Sequence, residues 1–270
     1  MHGRVARWIG LLGIAAFGCT GDDTPEPPRP SPFLEVKQVE VFRTGVVRGV
    51  VRWKGSLPAE ESPHLPRVDP QTSGVRDAIV MLRGAGQSAS AKWPHGPILI
   101  ELRDKQIRIL QDGHSSSVGI ARVGDDIEVV NRDSEPHVLR GRGAARFAIP
   151  LPEPDRVAKR SLTRTGIVTL SSGANHPAMS AHLFVAETLC VARTNAEGEF
   201  ILPDVPEGSH TLACWMPSWN LQRRERDPGS GLVSRLHYEP PVERTATIRV
   251  EAGRTTATSF AWSLDDFAGK

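Results

Sequence analysis

Chemistry in this 270-residue chain is concentrated in its histidines and its few sulfur residues. His176, Met179 and His182 fall close together, with His137 and His114 upstream. Imidazole nitrogen and thioether sulfur are donors that copper takes more readily than a hard cation does. Only three cysteines are present, Cys19, Cys190 and Cys214. The sequence has no Gly-x-Ser-x-Gly, no His-Glu-x2-His and no phosphate-cradling glycine loop leading into a helix. Thr163, Ser171 and Ser172 lie near His176, but adjacency in sequence does not make a nucleophile and a base. The chain therefore reads as a binding protein and not as an enzyme.

The composition sets outer bounds. With 33 Lys+Arg against 31 Asp+Glu the formal charge is +2, so bulk attraction to nucleic acid is not indicated. Apolar residues make up 39% of the chain, enough for a core, while 25 Gly and 22 Pro favour turns and short elements over long helices. Residues 1–19 read as an export signal, with Arg4 and Arg7 ahead of an apolar run from Trp8 to Phe17. The run is too short to span a bilayer. Ala16-Phe17-Gly18 before Cys19 resembles a bacterial lipoprotein signal, which usually has Leu where Ala16 stands. That resemblance implies lipidation of Cys19 and a place in the cell envelope, at the outer membrane facing the periplasm or the exterior. The other reading is an ordinary secretory signal that ends beside a Cys. Residues 20–44 form a lead-in that opens with a Pro-rich tether able to hold a domain off a membrane. Loss of residues 1–18 removes two Arg and no acid, leaving 31 basic and 31 acidic residues. An exported chain can keep a disulfide, so Cys190 and Cys214 are either a pair or two separate buried thiols.

Beyond the tether, short β-branched runs are bounded by Gly or Pro, and no segment carries a sustained helical stripe. The expected fold class is all-β. Gly45-x3-Gly49-x-Val51-x3-Gly55-x2-Pro58, and later Thr194-x3-Gly198-x-Phe200-x-Leu202-x2-Val205-Pro206-x-Gly208, resemble a carboxypeptidase regulatory-like, transthyretin-type β-sandwich. Asn195-Ala196-Glu197-Gly198 is a hairpin turn whose Gly takes positive φ, and Phe200 and Leu202 alternate inward. The sandwich is expected from residues 45–95 plus 188–264, with residues 96–187 as an inserted domain. Val123-Gly124-Asp125-x5-Asn131-x-Asp133-x3-His137, followed by His176-Pro177-x-Met179, resembles a cupredoxin, a Greek-key β-barrel or sandwich.

The cupredoxin resemblance implies His137, His176 and Met179 as copper ligands, and it places Gly173 where the family carries its thiolate Cys. A type 1 copper site needs that thiolate beside two imidazoles and a weak axial thioether. Three readings stand for the cluster. Metal binding is lost; or copper is held without a thiolate, with His114 or His182 as extra ligands; or the cluster serves another divalent ion, for which no acidic ligand set is evident. A rival to the degenerate site is an electron carrier whose thiolate comes from Cys190 or Cys214. Between Arg140 and Arg164 seven basic residues face two acids, a local +5. The stretch is either a solvated loop or a docking surface for an acidic redox protein or an envelope glycan. A third possibility is a module that binds glycan or protein through the sandwich. Trp53, Trp93, Trp215, Trp219 and Trp262 are expected in the core or at strand edges.

Overall fold

Alternating apolar and polar residues set nearly every element of the computed structural model, which describes residues 43–59, 62–84, 96–173, 176–186 and 190–268. Cys19, the signal segment, the tether and Trp93 lie outside the described residues. The chain begins with β1 (Thr44–Trp53), a short pair β2 (Arg67–Val68) and β3 (Val75–Arg76), and β4 (Ile79–Arg83). The middle of the chain supplies β5 (Ile98–Arg103), β6 (Gln106–Gln111), β7 (His114–Ser116), β8 (Val118–Arg122) and β9 (Asp126–Asn131). It continues with β10 (His137–Gly143), β11 (Phe147–Leu151), β12 (Val157–Ser161), β13 (Gly166–Ser171) and β14 (Ser180–Ala186). The last part holds β15 (Val191–Arg193), β16 (Glu199–Pro206), β17 (Gly208–Met216), β18 (Leu221–Arg226) and β19 (Val233–Tyr238). β20 (Val242–Val250), β21 (Thr255–Trp262) and a 3-10 turn at Leu264–Phe267 complete it. The fold is all-β.

Both ends of the described chain meet in one sandwich. β1 lies between β16 and β21, antiparallel to the first and parallel to the second. A second sheet, ordered β15-β4-β17-β20, faces it across a shared core of Val47, Val51, Phe200, Leu202, Leu212, Ile248, Phe260 and Trp262. Gly49 is part of this design. A Cβ there would sit 2.5 Å from the Phe200 ring and 2.5 Å from the Thr258 carbonyl, so the ring packs where only hydrogen fits. Gly198 closes the turn before β16 at φ +79, as the Asn195–Gly198 spacing predicts. The Asn195 side chain accepts from the amides of Glu197 and Glu199 at 3.1 and 2.7 Å.

The chain between β4 and β15 builds another pair of sheets, ordered β11-β10-β13-β14-β8 and β12-β9-β5-β6-β7. The parallel pairs β8/β14 and β5/β9 require crossovers between the layers, the connectivity of a Greek-key sandwich. Ile100, Ile109, Val129, Leu139, Leu170 and Leu183 fill its core. The two sandwiches are packed together. Ile79, Met81, Ala213 and Trp215 from β4 and β17 meet Val118, Ile120 and Ala186 from β8 and β14 in a third apolar cluster.

One expectation is revised and two are narrowed. The basic stretch from Arg140 to Arg164 is not a loop, because β10, β11 and β12 run through it. Its apolar residues Ala144, Phe147, Ile149 and Leu151 pack on the core, while Arg140, Arg156, Lys159, Arg160 and Arg164 are exposed. Lys159 pairs with Glu128 at 2.8 Å, and the Arg160 guanidinium lies 6.0 Å from the Phe147 ring centre. Cys190 and Cys214 are two free buried thiols in the core of the first sandwich. Trp53, Trp215, Trp219 and Trp262 are all buried, so they form no exposed platform.

Candidate metal centre and its surroundings

His137 opens β10, and the loop before it carries Asp133 and Glu135. Asn131, fully buried at the end of β9, fixes that loop. Its side-chain amide donates to the Glu135 and Leu151 carbonyls at 2.8 and 3.4 Å, and its carbonyl oxygen accepts from the Asp133 amide at 2.9 Å. The β13–β14 connection supplies Ser172, Gly173, His176 and Met179. The strands thus bring His137 and His176 together, with ring centres 5.5 Å apart. A cavity of about 200 Å³ opens beside them, lined by Pro136, Val138, Arg140, Ser172 and Gly173 as well as both rings.

The lone pairs of His137 are already committed. Its Nε2 lies 2.9 Å from an Asp133 carboxylate oxygen, and its Nδ1 lies 3.2 Å from Ser172 Oγ. A neutral ring satisfies both if Nε2–H donates to Asp133 and the Ser172 hydroxyl donates to Nδ1. Burial works against the Asp133 charge. The amides of Asp104 and Lys105, at 2.7 and 3.2 Å, and the His137 ring outweigh it and hold the carboxyl below its ordinary range. His176 Nε2 lies 2.9 Å from Glu135 Oε1, close enough for an ion pair but outside hydrogen-bond geometry.

The other expected site residues are elsewhere. Met179 packs in the apolar core with Ala181 and Leu183, and it borders a different cavity from the one beside His137 and His176. His114 is exposed on β7, in the opposite sheet. His182 points away from the core of its own sandwich, toward His64 and Trp215. Gly173 has ordinary backbone, and a Cβ built on it would meet nothing within 4 Å. Neither remaining thiol replaces the family's Cys. Burial raises Cys190 and pushes Cys214 up to about 12, and both belong to the core of the first sandwich.

These residues do not fit a type 1 copper centre. Among the described residues no thiol stands beside the two rings, the thioether is in the core, and the better-buried imidazole is spent on a carboxylate and a hydroxyl. An acidic ligand set, not evident in the sequence reading, is present instead. Asp133, Glu135 and His137 offer donor atoms that all lie within 4.8 Å of one another, and His176 stands beside them. Asp133-x-Glu135-x-His137 was the signal that could have disclosed it, since two carboxylates so close to a His come together once the loop bends at Asp133–Glu135.

No protein-family model matches the chain. No curated protein matches it either. Among solved structures, a reduced amicyanin variant is 17% identical over 40% of this chain and 98% of its own length, with a TM-score of 0.27. An oxidised amicyanin variant is 16% identical over the same shares, with a TM-score of 0.28. A purple cupredoxin from Nitrosopumilus maritimus is 18% identical over 34% of this chain and 99% of its own, with a TM-score of 0.26.

Proposed function

We propose that the chain is a lipid-anchored binding or interaction protein of the cell envelope, not an enzyme and not an electron carrier. In this reading a cupredoxin-like domain, residues 96–187, is inserted into a carboxypeptidase regulatory-like sandwich. The pairing of β1 with β16 and β21 supports the discontinuous sandwich. Anchoring rests on Cys19 behind its charged and apolar signal, and Cys19→Ser should release the protein from the membrane fraction or block its processing.

One observation carries the loss of redox function. Gly173 borders the His137–His176 cavity without a side chain, while Asp133 and Ser172 hold both nitrogens of His137. Intense colour and fast exchange in type 1 copper depend on the thiolate bond. Restoring a thiol tests this directly, because Gly173→Cys meets no steric barrier. With Cu(II) the variant should gain a visible band that wild type lacks, and His137→Ala in that background should remove it. A folded Gly173→Cys protein that takes up copper without colour would refute the alignment of these residues. A second reading is favoured by the carboxylates. Once an ion displaces the His137–Asp133 hydrogen bond, two imidazoles with Asp133 and Glu135 form a nitrogen and oxygen set suited to a divalent ion such as Zn(II) or Cu(II).

A further inference from the structure

We infer that the cavity between the β18–β19 hairpin and the outer face of β10, β13 and β14 is a binding site for a small oxyanion, a carboxylated or phosphorylated metabolite gripped by Arg142 and Arg235. The sheet side is built by register. Arg142 stands opposite Thr169 on β13, and Thr169 stands opposite His182 on β14, so the three share one face in a row. That face is turned from the core, since the neighbouring Gly141, Leu170 and Leu183 point inward. Arg235 and Tyr238 from β19 close the other side, and His64 borders the same space. The enclosed volume is about 280 Å³, near the lower limit of small-molecule sites.

Three observations select the ligand. The guanidiniums of Arg142 and Arg235 share the cavity, and among the described residues neither has a carboxylate within ion-pair distance. Two carboxylates lie near, Glu239 lining the same cavity and Glu225 facing Arg235 across the hairpin, and each has another partner. Glu239 accepts from the Asn220 amide at 3.0 Å, and Glu225 lies 2.6 Å from His237 Nε2. Burial and the charge of Arg142 lower the Arg235 guanidinium, with Arg223 adding to this and the facing Glu225 opposing it. Second, His182 is fully buried and its Nδ1 has no hydrogen-bond partner. A buried polar atom left unpaired costs about 1–3 kcal/mol, and because Nδ1 is covered from the cavity a ligand relieves that cost by drawing the ring round toward it. Third, the charge excludes the obvious competitor. The His64 and His182 rings are 4.7 Å apart and are of a type that ligates metals, but two guanidiniums repel a cation and attract an oxyanion. Planar guanidinium forks match carboxylate and phosphate oxygens in pairs.

The site adjoins the His137 cluster and stands whether or not a cation binds there. The test is calorimetric titration of the purified chain with inorganic phosphate and, separately, with citrate at constant ionic strength. Saturable binding of either probe is expected, weakened at least tenfold in Arg142→Ala and in Arg235→Ala and unchanged in Arg48→Ala, an exposed cation on β1. If an alanine variant is misfolded, Arg142→Lys and Arg235→Lys keep the charge, lose the fork and should still weaken binding. Absence of saturable binding for both probes would overturn the proposal, as would binding unaffected at both arginines. Zn(II) uptake lost in His64→Ala and His182→Ala, with no response to either anion, would overturn it in favour of a metal.

Discussion

Acidification should act on this protein chiefly through His64 and His182. Burial holds His64 at about 4, and burial with the charge of His64 holds His182 at about 3, against an ordinary 6.5. Both rings stay neutral in the folded protein at pH 5, whereas the unfolded chain protonates both. Because their folded values are depressed, the unfolded chain binds the extra protons, so stability is lost as pH falls below 6.5 and continues to fall toward the folded values. A pH of 5 lies about one and a half units below the unfolded value of both rings, and at ~1.4 kcal/mol per unit each opposes folding by about 2 kcal/mol. The pair accounts for about 4 kcal/mol between pH 7.5 and pH 5. Carboxylates with depressed values, Asp133 among them, titrate mostly below this window. Urea denaturation at the two pH values reads the difference for wild type and for His64→Gln/His182→Gln. The variant should lose about 4 kcal/mol less than wild type on acidification. Equal losses would show that these rings are not the buried neutral groups described.

Deleting residues 190–270 removes both neighbours of β1, so residues 45–84 should become sensitive to protease; continued protection would show that the first segment folds alone. Neither Cys190 nor Cys214 should react with a thiol reagent until the protein unfolds, because burial keeps both as thiols. Fast labelling of the folded chain would contradict their placement. Gly49→Ala should destabilise by about 1–3 kcal/mol in chemical denaturation, since its Cβ would press on the Phe200 ring and the Thr258 carbonyl.

Much of the fold was legible in the sequence because strands buried on one face leave a period of two. Val47, Val51 and Trp53 alternate inward along β1, and Phe200 and Leu202 do the same along β16. The β18–β19 hairpin left no such trace. Its residues are all exposed or half-buried, so Leu221–Arg226 carries no apolar rhythm and is held as a strand by pairing alone. Strands β10 and β12 were obscured by cations, Arg140 and Arg142 in one and Lys159 and Arg160 in the other interrupting the apolar rhythm. At the candidate centre the histidines could be picked out by type, but their partners could not. Ser172 reaches His137 across 35 residues, and His64 reaches His182 only because two sandwiches dock. Met179 shows the converse limit, since spacing placed it among ligands and packing placed it in the core.

The proposed reading turns on a histidine pair that has Gly173, and no thiol, beside it. Titrating the purified wild-type chain with Cu(II), while recording visible absorption and bound metal together, addresses that most directly. The expected result is no intense charge-transfer band at any copper loading, whether or not Asp133, Glu135, His137 and His176 take up the ion. A strong blue band from the wild-type protein would contradict it.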